Sequence, residues 1–276
     1  MLIDAHQHFW KYNPIRDSWI DDSMQIIRRD FLPKDLAPIL GDNNIDGCIA
    51  VQADQSEEET LFLLQLAKEN DFIKGVVGWV DLCSKDVDDR LQYFSRFDKF
   101  CGVRHIVQSE KAKFLLRKDF QNGIEQLLKY NLTYDILVNY KQLSEVIVFV
   151  EKFPNQPFVL DHLGKPPIAS KELNQWKGQI ETLAKFSNVS CKVSGMTTEA
   201  DWNNWKPSDF IPFLDVIFKT FGAERTLYGS DWPVCLLATE YKEQLSIVEK
   251  YISEFSLEEK AAIMGGNTMR FYNHSY

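Results

Sequence analysis

Cysteine is scarce in this 276-residue chain, and its spacing excludes two common uses of the residue. The five cysteines are scattered and odd in number, and no two of them are separated by two residues. A disulfide framework needs paired cysteines, and a zinc ribbon needs the Cys-x-x-Cys spacing. We therefore predict buried free thiols in a reducing compartment, the cytoplasm.

Basic residues and long apolar runs are also in short supply. Lys and Arg number 31 against 40 Asp and Glu, so the net charge of -9 argues against a nucleic-acid partner. No run reaches the length of a membrane span, and the start of the chain lacks the basic and long apolar segments of a signal peptide. We expect a cytoplasmic protein that is not membrane-bound and whose partner is a small molecule. Composition leaves open whether it is a monomer or a homo-oligomer.

Short apolar runs alternate with segments of helical period along the whole chain. Runs such as "GVVGWV" and "GCIAVQ" are apolar on both alternating faces, which is typical of strands covered on both sides. Between the runs, Val87, Leu91 and Phe94 recur with the spacing of a helix face. Eight runs are found, at residues 2–7, 47–52, 75–82, 102–108, 132–138, 158–162, 189–194 and 226–230. The pattern predicts one α/β domain over residues 1–276, a (β/α)8 TIM barrel, with an open doubly wound sheet as the alternative.

Polar residues with catalytic chemistry stand at the ends of three runs. His6 and His8 end the first, His162 ends the sixth and Asp231 follows the eighth. In a barrel, side chains at the carboxyl ends of the strands gather around one cavity, and residues two apart on a strand point to the same side. An isolated His-x-His is equally often a pair of partly exposed loop residues, but its position here favours a functional site.

Several motifs resemble those of the amidohydrolase superfamily. They are "IDAHQHFW", "VLDHLGKP" and "LYGSDWPVC", spread over the chain in order. Further stretches resemble the sugar-lactonase branch of this superfamily, namely "RRDFLPKDLAPIL", "GVVGWVDL", "GVRHIVQ" and "SGMTTEADWNNW". That branch holds L-fuconolactonase-like and L-rhamnonolactonase-like enzymes and is related to 2-pyrone-4,6-dicarboxylate lactonase. The resemblance implies a distorted (β/α)8 barrel whose site gathers His6, His8, His162 and Asp231.

The resemblance also bears on metal content. Many superfamily members bind two metals through a Lys or Glu on the fourth strand, but "GVRHIVQ" contains neither, so a binuclear centre is not expected. The fifth run has Tyr134 and Asp135 where many members have a histidine. His6, His8 and Asp231 would then hold at most one Zn²⁺. Members of the branch are held to work without a metal, so we expect no required cofactor, or one Zn²⁺.

The residue types suit the hydrolysis of a carboxylic ester. Asp231 would take a proton from the attacking water, and His6, His8 and His162 would polarise the carbonyl. The alternative is a Zn²⁺-dependent decarboxylase or other lyase of the same superfamily, which would depend on its metal. A barrel that only binds a ligand is a third hypothesis, which the complete set of polar residues disfavours.

Candidate substrate-binding residues surround this set. We predict Arg104 rather than His105 as the inward-facing donor of the fourth strand, and Lys165 as a second cation. Indoles suit the apolar faces of sugar rings, and several tryptophans fall in the loops after strands. The indoles predicted to bind substrate are Trp79, Trp202 and Trp232, with Trp10 and Trp19 in the same class of loop. Alternation along the sixth strand would turn Asp161 outward, and His274 in the tail receives no role.

Overall fold

The computed structural model describes residues 1–272, so that 273–276, including His274, lie outside it. Within this range eight strands form one parallel sheet in chain order, and a helix follows each strand. The strands are β1 (Ile3–Gln7), β2 (Gly47–Val51), β3 (Ile73–Gly78), β4 (Phe100–His105), β5 (Thr133–Ile136), β6 (Phe158–Leu160), β7 (Val189–Val193) and β8 (Thr226–Tyr228). The helices are α1 (Pro33–Asp42), α2 (Glu57–Glu69), α3 (Val87–Phe94), α4 (Lys118–Leu127), α5 (Leu143–Val150), α6 (Asn174–Leu183), α7 (Pro207–Phe221), α8 (Tyr241–Tyr251), α9 (Leu257–Ala261) and α10 (Asn267–Tyr272).

The sheet closes on itself next to the predicted site. The backbone N–H of His8 donates to the carbonyl of Trp232 at 2.7 Å, and that of Asp231 donates to the carbonyl of His6 at 2.8 Å. The end of β1 therefore pairs with the segment after β8. This confirms the predicted barrel and excludes the open sheet.

Two apolar clusters hold the barrel together. The larger one packs the helices on the outside of the sheet, and the predicted helix face of Val87, Leu91 and Phe94 is buried in it. The smaller one gathers side chains from most of the strands, together with Tyr272 of α10. Side chains of so many strands meet only in the interior of a barrel, so this cluster fills its lower half and leaves the upper end for polar residues. In residues 1–272, no helix has the length and apolarity needed to cross a bilayer.

Candidate active site

Four predicted residues meet at the carboxyl end of the barrel. Asp231 Oδ1 lies 3.4 Å from His8 Nε2 and 3.9 Å from Nε2 of both His6 and His162. All four side chains are buried. The structure thus brings the two histidines of β1, the histidine after β6 and the aspartate after β8 around one carboxylate oxygen.

A tight turn after β6 brings His162 into this group. The strand ends at Leu160, and His162 and Leu163 then adopt left-handed conformations with φ of 53° and 56°. Gly195, after β7, packs against the imidazole with a φ of 60°, and a Cβ there would lie 2.6 Å from His162 Nδ1. Only glycine fits at this position, because a larger residue would push the ring away from Asp231.

Hydrogen bonds at the far side of each ring orient the imidazoles. His8 Nδ1 lies 2.8 Å from the carbonyl oxygen of Val51. A carbonyl only accepts, so Nδ1 carries a proton, and Nε2 is the nitrogen that faces Asp231. His162 Nδ1 lies 2.9 Å from Ser194 Oγ, and a hydroxyl that donates there leaves the proton on Nε2, facing the cavity.

Burial sets the protonation of the group. Burial lowers the pKa of His162 to about 4 against the opposing pull of Asp231, and it lowers the pKa of His6 well below the usual value. Burial alone would raise the pKa of Asp231, but the neighbouring His162 and His8 outweigh it, so the pKa lies below its usual value. Near neutral pH the site therefore combines the neutral imidazoles of His6 and His162 with the ionised carboxylate of Asp231.

A network of buried charges supports His6 from below. Lys192 Nζ lies 2.5 Å from Asp135 Oδ2, 3.0 Å from Asp161 Oδ1 and 3.1 Å from His6 Nδ1. Arg104 Nη1 lies 3.0 Å from Asp161 Oδ2, while its Nη2 donates to the carbonyl of Gln52. Two carboxylates thus balance two cations, which is how charges are tolerated in an interior.

The sequence did not predict two members of this network correctly: it turned Asp161 outward and gave no role to Lys192. Asp161 faces inward rather than outward, because β6 ends one residue before it and strand alternation no longer applies. Lys192 was not anticipated, although one signal was available. A lysine within the buried run "VSCKV" must find an anionic partner, since an unpaired ammonium is costly to bury.

A cavity of about 210 Å³ opens above the histidines. Of the predicted residues, His8, His162, Asp231, Arg104 and Lys165 line it. Its remaining wall is formed by Trp10, Trp19, Ala53, Ile106, Gln108, Ser109, Leu137 and Val234. His6 has no exposed surface and lies behind this wall rather than on it.

The predicted indoles of Trp79, Trp202 and Trp232 are not on the cavity wall. Trp79 donates through Nε1 to His105 Nδ1 at 3.3 Å, outside the barrel interior. Trp202 donates to the carbonyl of Thr198, and Trp232 is buried edge-on against Phe31. Position in a loop after a strand does not fix the direction of a side chain, and here Trp10 and Trp19 of the β1–α1 segment supply the indoles instead.

The donor set suits a single metal ion. His6, His8 and Asp231 each offer one ligand atom, and these atoms lie within 4.8 Å of one another. Imidazole nitrogens and a carboxylate are ligands that Zn²⁺ accepts, and His8 already holds the tautomer that a metal requires. A second group, His6, Asp161 and His162, is equally compact, but Asp161 is bound by Lys192 and Arg104. The residues therefore fit one Zn²⁺ rather than two.

Comparisons with known proteins agree with this architecture. A family model described as Amidohydrolase matches residues 3–274. An L-fucono-1,5-lactonase of Burkholderia multivorans is 39% identical over 284 residues, which covers 99% of this chain and 96% of the relative. An L-fucono-1,5-lactonase of Burkholderia ambifaria is 34% identical over 278 residues, which covers 98% of this chain and 94% of the relative.

A solved structure is similar over the same extent. The crystal structure of an amidohydrolase from Burkholderia multivorans with bound zinc has a TM-score of 0.95 and 38% identity, with 99% of each chain covered. The resemblance noted in the sequence motifs is thereby confirmed. Because the family model and the relatives span nearly the whole chain, this protein belongs to the amidohydrolase family.

Proposed function

We propose that the protein hydrolyses the lactone of a sugar acid, of the L-fucono-1,5-lactone type, to the free aldonic acid. The observation that carries the proposal is an ionised carboxylate, Asp231, facing the imidazoles of His8 and His162 at a small cavity. Ester hydrolysis needs a base for water and a donor for the carbonyl oxygen, and the cavity offers both. The two relatives named above, at 39% and 34% identity, support the choice of substrate class.

Asp231 acts as the base. A water molecule in the cavity that rests against both Asp231 Oδ1 and His8 Nε2, which lie 3.4 Å apart, would meet two acceptors. Asp231 withdraws one proton as the water oxygen attacks the lactone carbonyl carbon. His8 orients the water, because its own proton is held on Nδ1 by the carbonyl of Val51.

His162 and Arg104 stabilise the oxyanion. The Nε2 proton of His162 points to the cavity when Ser194 donates to Nδ1, and the guanidinium of Arg104 adds positive charge at the same wall. The tetrahedral intermediate collapses with cleavage of the bond between the carbonyl carbon and the ring oxygen. The departing alkoxide takes the proton that Asp231 received, which restores the carboxylate and completes the proton balance.

The cavity selects a small polar ring. Pockets for drug-sized ligands run from about 300 to 1,000 Å³, so this one suits a monosaccharide-sized compound. Trp10 and Trp19 offer apolar faces, and Lys165, placed by Glu199 at 3.3 Å, offers a donor to substrate oxygens. Gln108 and Ser109 add neutral polar groups to the cavity wall.

We propose that the reaction does not require a metal. A Zn²⁺ held by His8, Asp231 and His6 would supply Lewis-acid polarisation of the carbonyl. An ester is an easier substrate than an amide because alkoxide is the better leaving group, so hydrogen-bond donors suffice.

The free cysteines described in the structure are compatible with a cytoplasmic enzyme. The decarboxylase alternative is less favoured, since the two relatives at 39% and 34% identity are named L-fucono-1,5-lactonases.

The test is hydrolysis of a panel of 1,4- and 1,5-aldonolactones by the chelated wild-type protein and Asp231→Asn. We expect activity on at least one 6-deoxy sugar lactone to survive chelation and to fall about 10²–10⁴-fold in the variant. Asp42→Asn, at the end of α1 and exposed, is the matched control and should keep full activity. Absence of hydrolysis on every lactone would reject the proposal, and loss on chelation alone would reject its metal-independent form.

A further inference from the structure

Both ring nitrogens of His6 are already engaged by the protein. Nδ1 lies 3.1 Å from Lys192 Nζ and 3.3 Å from Asp161 Oδ1, and Nε2 lies 3.2 Å from Arg104 Nη1. The ring has no exposed surface. Two cations face it from opposite sides, so a third positive charge on the imidazole is excluded and the ring is neutral.

These contacts fix which nitrogen carries the proton. Guanidinium and ammonium groups only donate, so Arg104 at Nε2 and Lys192 at Nδ1 both face a nitrogen lone pair, and the neutral ring has one. The nearby acceptor decides between them: Asp161 Oδ1 lies 3.3 Å from Nδ1, so the proton sits on Nδ1, and Lys192 is held by its two carboxylate partners. The opposite tautomer would aim Nε2–H at the Arg104 N–H groups, with Asp231, the other acceptor, 3.9 Å away.

The lone pair used by Arg104 is the one that a metal ion needs. We propose that Arg104 is an internal competitor for metal: it occupies His6 Nε2 and thereby weakens the binding of Zn²⁺ to the site formed by His6, His8 and Asp231. The inference concerns metal affinity and does not depend on which ester the site opens.

Arg104 cannot easily give way to an ion. Its side chain is 3% exposed, and Nη1 and Nη2 are bound to Asp161 and to the carbonyl of Gln52. A metal on Nε2 must break the hydrogen bond from Nη1 and also face the guanidinium charge without intervening solvent. Lys165, the other cation on the cavity wall, is paired with Glu199 rather than with His6.

The experiment measures Zn²⁺ affinity by competition with a chromogenic chelator, for the wild-type protein and Arg104→Gln. We expect the variant to bind Zn²⁺ about tenfold or more tightly, since one charge-assisted hydrogen bond no longer opposes the metal. Co²⁺ loaded into the variant should give visible absorption bands of ligated metal at concentrations where the wild-type protein gives weaker bands. Lys165→Met removes a positive charge from the same cavity and should tighten Zn²⁺ binding much less.

Two results would overturn the proposal. One is equal Zn²⁺ affinity in the wild-type protein and Arg104→Gln, and the other is equal tightening in Lys165→Met, which would reduce the effect to net charge. A measurement on the unsubstituted protein covers the case in which Arg104→Gln does not fold. The ¹⁵N spectrum of histidine-labelled protein should show His6 protonated on Nδ1, and a proton on Nε2 would refute the competition.

Discussion

Lys192 Nζ lies 2.5 Å from Asp135 Oδ2 in the centre of the barrel, and neither side chain has any exposed surface. The same ammonium also binds Asp161, so one cation serves two buried carboxylates. Removing one partner of a buried ion pair leaves an uncompensated charge. We expect Lys192→Met to lower the free energy of unfolding by about 3–5 kcal/mol at neutral pH, measured by urea denaturation.

A surface ion pair provides the control for this substitution. Lys177 and Glu181 lie one turn apart on α6, 3.9 Å from each other, with both side chains nearly half exposed. Exposed pairs contribute about 0.3–0.5 kcal/mol, so Lys177→Met should be close to neutral. Similar losses in the two variants would show that Lys192 has no special role in balancing interior charge.

The buried carboxyl group of Glu59 on α2 should make the stability of the protein depend on pH. Its carboxylate accepts hydrogen bonds from the backbone N–H groups of Ala53 and Asp54, yet burial raises its pKa from 4.5 to about 8. The folded state therefore binds a proton that the unfolded state releases between these values, and stability falls as pH rises from about 4.5 to about 8. The slope is at most about 1.4 kcal/mol per pH unit.

Glu59→Gln removes this ionisation and should become more stable relative to the wild-type protein across that pH range. Denaturation midpoints at half-unit pH intervals measure the difference. Glu58→Gln is the matched control, because Glu58 is the preceding residue and is exposed. A parallel pH dependence in both variants would contradict burial as the cause.

The pH profile of catalysis follows from the pKa directions at the site. The pKa of Asp231 lies below its usual value and that of His162 is lowered to about 4, so the ionised base and the neutral imidazole coexist throughout the range above about pH 5. We expect kcat/KM for the best lactone to be flat between pH 5 and 8 in a pH-stat assay. A fall with a midpoint near 6.5, the usual pKa of histidine, would mean that His162 titrates as a solvated group.

Substitution of Trp19 tests whether the aromatic wall of the cavity binds the substrate. Its ring is 44% exposed and stands edge-on to Trp10 at a centroid distance of 6.1 Å. Loss of stacking on a sugar ring should raise KM about tenfold in Trp19→Ala and change kcat much less, since an aromatic contact is worth on the order of 1 kcal/mol beyond its area. Trp202→Ala is the comparison, because that indole binds the Thr198 carbonyl. A larger effect at Trp202 would place the substrate elsewhere.

The barrel was predictable because its strands are buried on both faces, so that several of them are nearly continuous apolar runs. The predicted ends of a strand are wrong where a local contact stops its pairing with the neighbouring strand. The third strand was expected at 75–82, and β3 lies at Ile73–Gly78. The backbone N–H of Trp79 bonds to Thr60 Oγ1, which takes the chain out of the sheet. Such a side-chain contact from a neighbouring helix leaves no periodic signal in the sequence.

The candidate site was only partly accessible from the sequence. His6 and His8 could be placed because they stand two apart at the end of β1, and Asp231 because its motif follows β8. Asp161 could not, since β6 ends one residue before it and strand alternation does not extend to it. The difference between His8, which lines the cavity, and His6, which lies behind it, depends on contacts with Arg104 and Lys192 from distant strands.

Tyr272 of α10 donates its hydroxyl proton to Asp135 Oδ2 at 2.7 Å across 137 positions of sequence. This contact has a consequence for biosynthesis. A nascent chain can pair its eight strands before α10 is made, but its interior carboxylate then lacks one of its donors, and the lower mouth of the barrel lacks the aromatic ring that packs there. Final closure of the interior must wait until residue 272 has been synthesised and docked, so ribosome-bound fragments should remain open to water from below.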